Sequence, residues 1–328
     1  MRLLLPLLLV AIASPAAAQA PTDPRNMAEK PLEDPIDGHE FLHSYQIGTN
    51  GLGGYDSDGC AYARGTQPRT TGIATSPTTL FSAPMESWPT GMPDDVRETL
   101  LRRLLDVGKD VGDARSLRPS ERYELAAMSA QVLGKTDFTI GELYLIGAWT
   151  VRDTIVGFLP GVQGAGDAWT KLAETIRLAQ AQKDPAPRTR AMFDLARLSH
   201  RGGFVVERDE FMRMLDTFED AGLGAKEKRV AFFLRVDEEN RLLFKARERF
   251  QKGLEAKEGT PEEHAYYRYL VGDLSRRLGE FDEARTNLEA AELSAGSGEE
   301  VKALAKDVLQ VIKVQERPPK DAPEGPRK

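Results

Sequence analysis

The amino-acid sequence predicts a mainly α-helical protein, in which an α-solenoid of helical repeats follows a small, turn-rich, ribbon-like module. Apolar residues recur at helical spacing from Pro93 almost to the end of the chain. The same apolar pattern returns at a fixed interval in the second half. Residues 34–92 differ from both, because glycine, proline, serine, threonine and aspartate dominate there and apolar runs are short.

The first residues predict export. Arg2 is followed by an apolar run over residues 3–13 and then by small residues, which is the pattern of a signal peptide. We expect cleavage after Ala18, at an A-x-A site, so that residues 1–18 are removed. The mature protein is then expected in the periplasm or outside the cell. It should not span a membrane, because no second apolar stretch has the necessary length.

Composition argues against several function classes. The 328-residue chain has a net charge of −7, whereas nucleic-acid-binding domains present a basic face, so we expect no nucleic-acid partner. The single cysteine, Cys60, cannot form an internal disulfide and is expected to be buried. Residues 19–33 are rich in proline, alanine and charge and should form a flexible linker. The proline-rich tail, residues 315–328, is expected to be disordered.

Residues 93–186 are expected to form a helical domain. One helix should begin at Ser120 and end near Gly134, since glycine commonly follows a helix C-terminus. The next helix carries a small pair, Gly147 and Ala148, among apolar residues. Such a pair should let another helix approach closely.

An offset of 38 residues relates three segments between residues 187 and 314, and it links Ala196, Leu234 and Gly272. The last segment, YYRYLVGDLSRRLGEFDEA, resembles a tetratricopeptide repeat, whose two helices meet at small residues such as Gly272. Neither helix of such a unit can bury its apolar face alone. We therefore predict tetratricopeptide-like repeats with a final capping helix over residues 187–314. A non-repeating helical bundle with chance spacing is the alternative.

Two frames in the N-terminal module resemble zinc knuckles that lack their cysteines. DPIDGHEF has Asp34 and Asp37 at the cysteine places of C-P-x-C, and TSPTTLFS has Ser76 and Thr79 there. A zinc ribbon needs four soft ligands in a tetrahedron, and these oxygen donors should not hold zinc tightly. We therefore predict a degenerate, metal-free ribbon-like module over residues 34–92, and no cofactor.

Asp56 and Asp58, in GYDSDGC, are the other acidic candidates. Counted as a calcium loop, the segment has Ala61 in place of the required glycine and Gln67 in place of the bidentate glutamate, so that hypothesis fails. If an ion is bound, the candidate ligands are Asp34, Asp37, Asp56 and Asp58.

No G-x-S-x-G motif occurs in the sequence. The spacing H-E-x-x-H does occur, from His39 to His43, but it lies in turn-rich sequence, whereas a zinc-protease motif needs both histidines on one face of a helix. We therefore expect these two histidines to be solvated surface residues, with a ligand pair as the alternative.

Six segments in order give the chain a family resemblance: DPIDGHEF, GYDSDGCAYARG, TSPTTLFS, SERYELAAMSAQVLG, GELYLIGAWTVRD and YYRYLVGDLSRRLGEFDEA. They sample most of residues 34–292, and in this series the chain resembles the bacterial domain of unknown function 2225 family. Members of that family join an N-terminal CPxC…CPxC ribbon to a helical repeat region. The resemblance implies this architecture and an interaction role, and it implies no established activity. Since all four cysteine positions differ here, the family's zinc site is not carried over.

A partner-binding face is predicted on the last repeat. Its first helix should project five residues toward a concave groove, namely Tyr266, Tyr269, Asp273, Arg276 and Arg277. Aromatic rings with paired arginines suit an extended peptide or a terminal carboxylate. A solvated helix face with ordinary charge pairs is the alternative.

The sequence as a whole favours an exported, noncatalytic interaction or scaffold protein that binds a protein or peptide. Two alternatives remain open at this stage. One is a metal-dependent envelope enzyme or metal-binding protein that uses the aspartates of the N-terminal module. The other is a structural part of an envelope assembly.

Overall fold

The computed structural model describes residues 26–316 apart from 110, 112, 158, 160, 161, 163, 181–184 and 216–224. Ten α-helices and four short β-strands lie in this part of the chain, so the predicted mainly α fold is confirmed. The predicted signal peptide lies outside the described residues, as does most of the predicted tail.

The N-terminal module, here residues 27–92, contains two antiparallel β-hairpins. β1 (Met27–Glu33) pairs with β2 (Glu40–Gln46), and β3 (Ile73–Thr75) pairs with β4 (Ser82–Pro84). A tight turn joins the strands of each hairpin, and each turn contains one of the two knuckle frames.

The prediction of a flexible linker over residues 19–33 is wrong for Met27–Glu33, which form β1. Composition alone does not favour a strand there. The segment nevertheless finds a partner directly beyond the next turn, and it buries Leu32 against the module. Strand formation depends on such cross-strand packing more than on intrinsic propensity.

The helices follow in sequence: α1 (Asp94–Gly108), α2 (Pro119–Val132), α3 (Asp137–Val156), α4 (Gly164–Gln180), α5 (Pro185–Gly202), α6 (Val205–Met214), α7 (Ala225–Glu255), α8 (Pro261–Arg277), α9 (Phe281–Leu293) and α10 (Glu299–Gln315). Helix α2 begins one residue before the predicted start at Ser120. Gly134 follows it with φ +66°, in the left-handed conformation that terminates many helices.

Helix α3 is the central helix and packs against α2, α5 and α7. Small residues make this possible. A Cβ atom at Gly147 would lie 3.0 Å from Cβ of Tyr123 on α2, and one at Gly141 would lie 2.5 Å from Cε1 of Phe250 on α7. The close helix approach predicted at Gly147 is therefore confirmed, and Gly141 permits a second one.

The regular spacing does not correspond to three helix pairs. Helices α5 and α6 form a pair, as do α8 and α9, where a Cβ on Gly272 would lie 2.7 Å from Cγ of Leu288. The middle segment is instead one continuous helix, α7, of 31 residues. Leu234, expected at a packed position, is 63% exposed. No glycine or proline interrupts the chain from Ala225 to Gln251, so nothing in the sequence breaks the helix there.

The largest hydrophobic core runs through helices α3 to α10, and two smaller clusters lie where the N-terminal module meets α1, α2 and α3. Leu195, Phe250 and Leu274 are completely buried in the large core. Within the described part of the chain, no helix combines the length and the apolar character that a membrane crossing requires.

Candidate functional site

An acidic loop of the N-terminal module enters the helical part of the protein. We define it as residues 53–63, GGYDSDGCAYA. Within the loop the amide of Asp56 donates to the carbonyl of Cys60 at 2.9 Å, which folds the chain back on itself. Gly59 has φ +85°, a conformation that glycine adopts without strain, and closes the tip. The two aspartates are thereby fixed close to each other.

Asp56 binds two arginines inside the protein. Its Oδ2 accepts from Nη1 of Arg152 on α3 at 3.0 Å, and its Oδ1 accepts from Nε of Arg201 on α5 at 2.9 Å. The hydroxyl of Tyr62 also donates to Oδ2, at 2.9 Å, and the Arg201 guanidinium lies 4.1 Å from the centroid of the Tyr62 ring. All four side chains are buried, so Asp56 connects α3 to α5 away from solvent.

Asp58 connects Arg152 to helix α8. Nη1 of Arg152 donates to its Oδ1 at 3.0 Å, and Nη2 lies 2.7 Å from its Oδ2. The same Oδ2 lies 3.5 Å from Nε of Arg277 and accepts from the indole Nε1 of Trp149 at 3.1 Å. Burial alone would raise the pKa of Asp58, but Arg152 and Arg277 outweigh it and hold that pKa well below its usual range. Asp58 is therefore a buried carboxylate anion.

Ser57, between the two aspartates, is bound by α8. Its hydroxyl donates to Oδ2 of Asp273 at 2.8 Å and accepts from Nη2 of Arg276 at 3.0 Å. Nη2 of Arg277 donates to the same hydroxyl at 3.3 Å. The carbonyl of Ser57 accepts from the hydroxyl of Tyr269. Helix α8 therefore contacts both the side chain and the backbone of the loop.

We call the four guanidinium groups around the acidic loop the arginine clasp: Arg152, Arg201, Arg276 and Arg277. Each is buried and ion-paired with at least one of four buried carboxylates: Asp56, Asp58, Glu239 and Asp273. Removing a charge from water costs several kcal/mol per ion unless it is paired, so this matching of four cations with four anions is what allows the cluster to be buried.

Glu239 and His200 extend the cluster toward α5 and α7. Oε1 of Glu239 accepts from Nε of Arg152 at 2.7 Å, and Nε2 of His200 lies 2.6 Å from its Oε2. Nη1 of Arg208 lies 3.3 Å from Nδ1 of His200, so Nδ1 accepts and Nε2 carries the proton. Burial lowers the pKa of His200 although Glu239 opposes this, which keeps the imidazole neutral.

The five residues predicted to bind a partner lie together, but the predicted open groove is wrong for four of them. Tyr269, Asp273, Arg276 and Arg277 are buried under the acidic loop, whereas Tyr266 is 37% exposed and its hydroxyl lies near Gly59. The physical reason is that buried guanidinium groups require carboxylate partners, and the chain supplies them itself.

The four candidate metal ligands are not brought together as a ligand set. Asp56 and Asp58 are ion-paired with arginines in the clasp. Asp34 is buried elsewhere in the module, and Asp37 is exposed, where its Oδ1 accepts from the amide of His39 at 2.9 Å. Among the described residues, no group of three or more histidine, cysteine, aspartate or glutamate side chains could hold a metal ion. Cys60 is fully buried, as predicted.

The two knuckle frames form turns with matching hydrogen bonds. In the first, the amide of Asp34 donates to His39 O at 2.9 Å and the amide of Gly38 donates to Asp34 O at 2.9 Å. In the second, the amide of Ser76 donates to Phe81 O at 2.8 Å and the amide of Leu80 donates to Ser76 O at 3.2 Å. The fifth residue of each turn, Gly38 or Leu80, has a positive φ.

The side chains of the frames join the two turns directly. Oδ2 of Asp34 accepts a hydrogen bond from Oγ1 of Thr79 at 2.6 Å, and its Oδ1 accepts from the amide of Ile36 at 2.7 Å. Two of the four frame positions, one in each turn, are therefore in contact through a carboxylate and a hydroxyl.

Thr79→Val is expected to lower the free energy of unfolding by about 1–3 kcal/mol, because it leaves the buried Asp34 carboxylate without its shortest hydrogen bond. Urea unfolding followed by circular dichroism measures this. Thr99→Val on α1 is the control, since Oγ1 of Thr99 bonds only to a carbonyl of its own helix, and its effect should be within about 0.5 kcal/mol of zero. Equal losses in the two variants would contradict the role of the contact between turns.

An open cavity of about 440 Å³ lies on the outer side of the acidic loop, between the N-terminal module and helices α2 and α3. We call it the rim cavity. Its main side chains are aromatic or aliphatic with one arginine: Tyr62, Arg69, Tyr123, Ile146 and Trp149. The Trp149 ring lines this cavity while its indole nitrogen binds Asp58, so the rim cavity and the clasp share a wall.

Several site residues lie outside the sequence-based prediction, chiefly Arg152, Arg201, Glu239 and Trp149. A usable signal existed for Arg152. Helix α3 is apolar on most of its faces, and such a helix is buried, so an arginine within it requires a buried carboxylate. Comparison with protein-family models, curated proteins and solved structures gave no match to the chain. Function must therefore be inferred from the geometry of the chain itself.

Proposed function

We propose that this is an exported, noncatalytic interaction protein that binds a protein partner at the rim cavity. One observation carries the proposal. The acidic and basic side chains that meet around the acidic loop are paired with one another and buried, whereas the cavity beside them is open and reaches the partly exposed side chains of Arg69, Ile146 and Trp149. The export part rests on the signal-peptide pattern of residues 1–18.

The histidine–carboxylate pair illustrates why binding is favoured over catalysis. His200 and Glu239 are 2.6 Å apart, a geometry that could serve acid–base chemistry. Both side chains are buried, however, and the guanidinium of Arg152 occupies the other oxygen of Glu239. A general base must lie within hydrogen-bonding reach of its substrate, and here protein groups already fill that space.

The walls of the rim cavity are held in place by contacts behind them. Arg69 forms a bidentate pair with Asp153, at 2.8 Å through Nε and 2.5 Å through Nη2, and its Nη1 donates to the carbonyl of Ala61 at 2.6 Å. The hydroxyl of Tyr123 donates to the carbonyl of Arg69 at 3.0 Å. Preorganised walls reduce the entropy lost on binding, and tryptophan, tyrosine and arginine dominate binding energy at protein interfaces. The cavity therefore suits an apolar or aromatic side chain projecting from a partner.

Substitution at Ala61 tests this proposal, because Ala61 is an exposed residue at the edge of the cavity and makes no side-chain contribution to the clasp. Ala61→Trp should fill the cavity and weaken partner binding by at least about tenfold, which corresponds to about 1.4 kcal/mol. Ala61→Ser at the same position leaves the cavity open and should bind normally. The immobilised mature protein and both variants are exposed to exported proteins of the source organism, and retained proteins are quantified by mass spectrometry.

The supporting result is a protein retained by the unmodified chain and by Ala61→Ser but lost with Ala61→Trp. Retention of the same proteins by all three would exclude the rim cavity as the binding site. Thermal unfolding of each variant serves as the folding check, since a partner lost only through misfolding would be accompanied by a lower unfolding temperature.

A further inference from the structure

The acidic loop is held in the manner of a bound peptide, through its backbone as well as its side chains. Nη2 of Arg201 donates to the carbonyl of Gly53 at 2.7 Å, and the hydroxyl of Tyr269 donates to the carbonyl of Ser57. The carbonyl of Tyr55 accepts from the amide of Gly164 at the start of α4 at 2.7 Å. Contacts to main-chain groups give affinity for an extended segment, and contacts to side chains give specificity.

The side-chain contacts select an ordered triplet, acid–hydroxyl–acid. The first and third positions face guanidinium groups that belong to three different helices, α3, α5 and α8. The middle position faces Asp273, which accepts a hydrogen bond from the hydroxyl, and Arg276 and Arg277, which each donate a hydrogen bond to it. A carboxylate or an apolar side chain in the middle would leave some of these buried groups unpaired, so each of the three positions requires its own residue type.

We infer that the helical array is a binding site for an acidic peptide segment of the form Asp-Ser-Asp, and that residues 53–63 are its ligand, tethered within the same chain. The arginine clasp, Asp273 and Tyr269 determine which residue types the bound peptide segment must have. This inference does not depend on the rim cavity, which lies on the other side of the loop and would bind a different part of a partner.

The tether explains how the site behaves in the intact protein. A ligand on the same chain has an effective concentration in the range of about millimolar or above, so a free peptide at micromolar concentration does not displace it. Weakening the tethered segment should open the site to a free segment of the same chemistry. The site then becomes measurable in the full-length chain.

The test uses the full mature chain carrying Asp56→Asn and Asp58→Asn together, and a synthetic peptide, GGYDSDGSAYA, in which serine replaces the cysteine of the loop. Binding is followed by fluorescence anisotropy and by the unfolding temperature of the protein. We expect the double variant to bind the peptide at least about tenfold more tightly than the unmodified chain does, and to gain thermal stability from it. Raising the salt concentration should weaken this binding only modestly, because the pairs are buried.

Three controls make the result decisive. A peptide of identical composition in scrambled order separates recognition of the triplet from general attraction between acid and base. Asp94→Asn with Asp95→Asn changes the net charge equally on exposed positions of α1, and this variant should behave as the unmodified chain does. If the variant with Asp56→Asn and Asp58→Asn does not fold alone, the ordered peptide should restore its helical circular dichroism.

The inference is overturned if the Asp56→Asn, Asp58→Asn variant is folded and binds the ordered and scrambled peptides equally. It is equally overturned if this folded variant binds neither peptide. It is also overturned if the variant is unfolded and the ordered peptide restores no helicity. A failure of the Ala61→Trp experiment would leave these outcomes unchanged, because that substitution does not touch the triplet or its partners.

Discussion

Arg152→Leu is expected to lower the free energy of unfolding by about 3–5 kcal/mol, a large part of the stability of an ordinary domain. Arg152 is completely buried and contacts Asp56, Asp58 and Glu239 through its three nitrogens. The substitution keeps an apolar side chain of moderate size but leaves these carboxylates short of one positive charge. Most of the loss comes from the carboxylates that remain buried and only partly paired.

The matched control is Arg102→Leu on α1. Its guanidinium is 72% exposed and pairs only with Glu98, one helical turn earlier, at 3.3 Å. An exposed pair of this kind contributes about 0.5 kcal/mol or less. Urea unfolding at neutral pH should therefore separate the two variants by several kcal/mol. Similar losses would mean that the clasp contributes no more than a surface pair, and the picture of a charge-matched interior would be wrong.

Acidification is the second large effect, and it should lower the free energy of unfolding steadily between about pH 6.5 and about pH 2. The pKa of buried His200 lies below its usual 6.5, so on acidification the unfolded chain takes up a proton before the folded chain does. Burial would raise the pKa of Glu239, but Arg152 and His200 bring it down to about 2 from the usual 4.5. A carboxyl group with a depressed pKa contributes stability above its unfolded pKa, and that contribution is lost as pH falls through the folded pKa.

For Glu239 this pKa difference corresponds to about 3 kcal/mol, and Asp58 changes stability in the same direction because its pKa is also held low. The measurement is urea unfolding at constant ionic strength across this pH range. Glu239→Gln removes one titrating group, so its stability should be lower at neutral pH and should fall less steeply below about pH 4.5. Parallel curves for the two proteins would show that Glu239 does not titrate as its surroundings imply.

Local sequence patterns predicted the features that are decided locally. The end of α2 at Gly134 could be predicted because one residue in the left-handed conformation terminates the helix. The close approach at Gly147 could be predicted because a helix residue without a Cβ atom leaves room for a neighbouring helix, whichever helix that is. The first knuckle turn belongs to the same class, since Gly38 has the positive φ that the turn requires. In the second turn Leu80 has that φ, and no glycine in the sequence marks the position.

The clasp could not be predicted in this way, because its partners are far apart in the sequence. Ser57 contacts Asp273 across 216 residues, and Asp58 contacts Arg152 across 94. The residue types on α8 predicted that its polar and aromatic side chains bind something, but they did not predict that the acidic loop of the same chain covers most of them. Whether such a helix face is open or covered depends on what packs against it. The 38-residue offset was misleading in α7. It predicted a two-helix repeat with a turn between the helices, but no glycine or proline interrupts Ala225–Gln251, and the segment is one continuous helix.

The long span of the clasp has a consequence for how the protein reaches its folded state. Ser57 of the acidic loop lies in the first fifth of the chain, whereas Arg276 and Arg277 lie on the eighth of the helices described, so their contacts with Ser57 span 219 and 220 residues of sequence. Contacts at such separations form late, because a long loop must be ordered before the contact stabilises it. Until α8 has been synthesised, Ser57 therefore lacks the side chains of Asp273, Arg276 and Arg277 that bind its hydroxyl. We therefore expect the acidic loop to be held in place only after α8 is available, and this order of events agrees with the proposed export of the chain across a membrane before it folds.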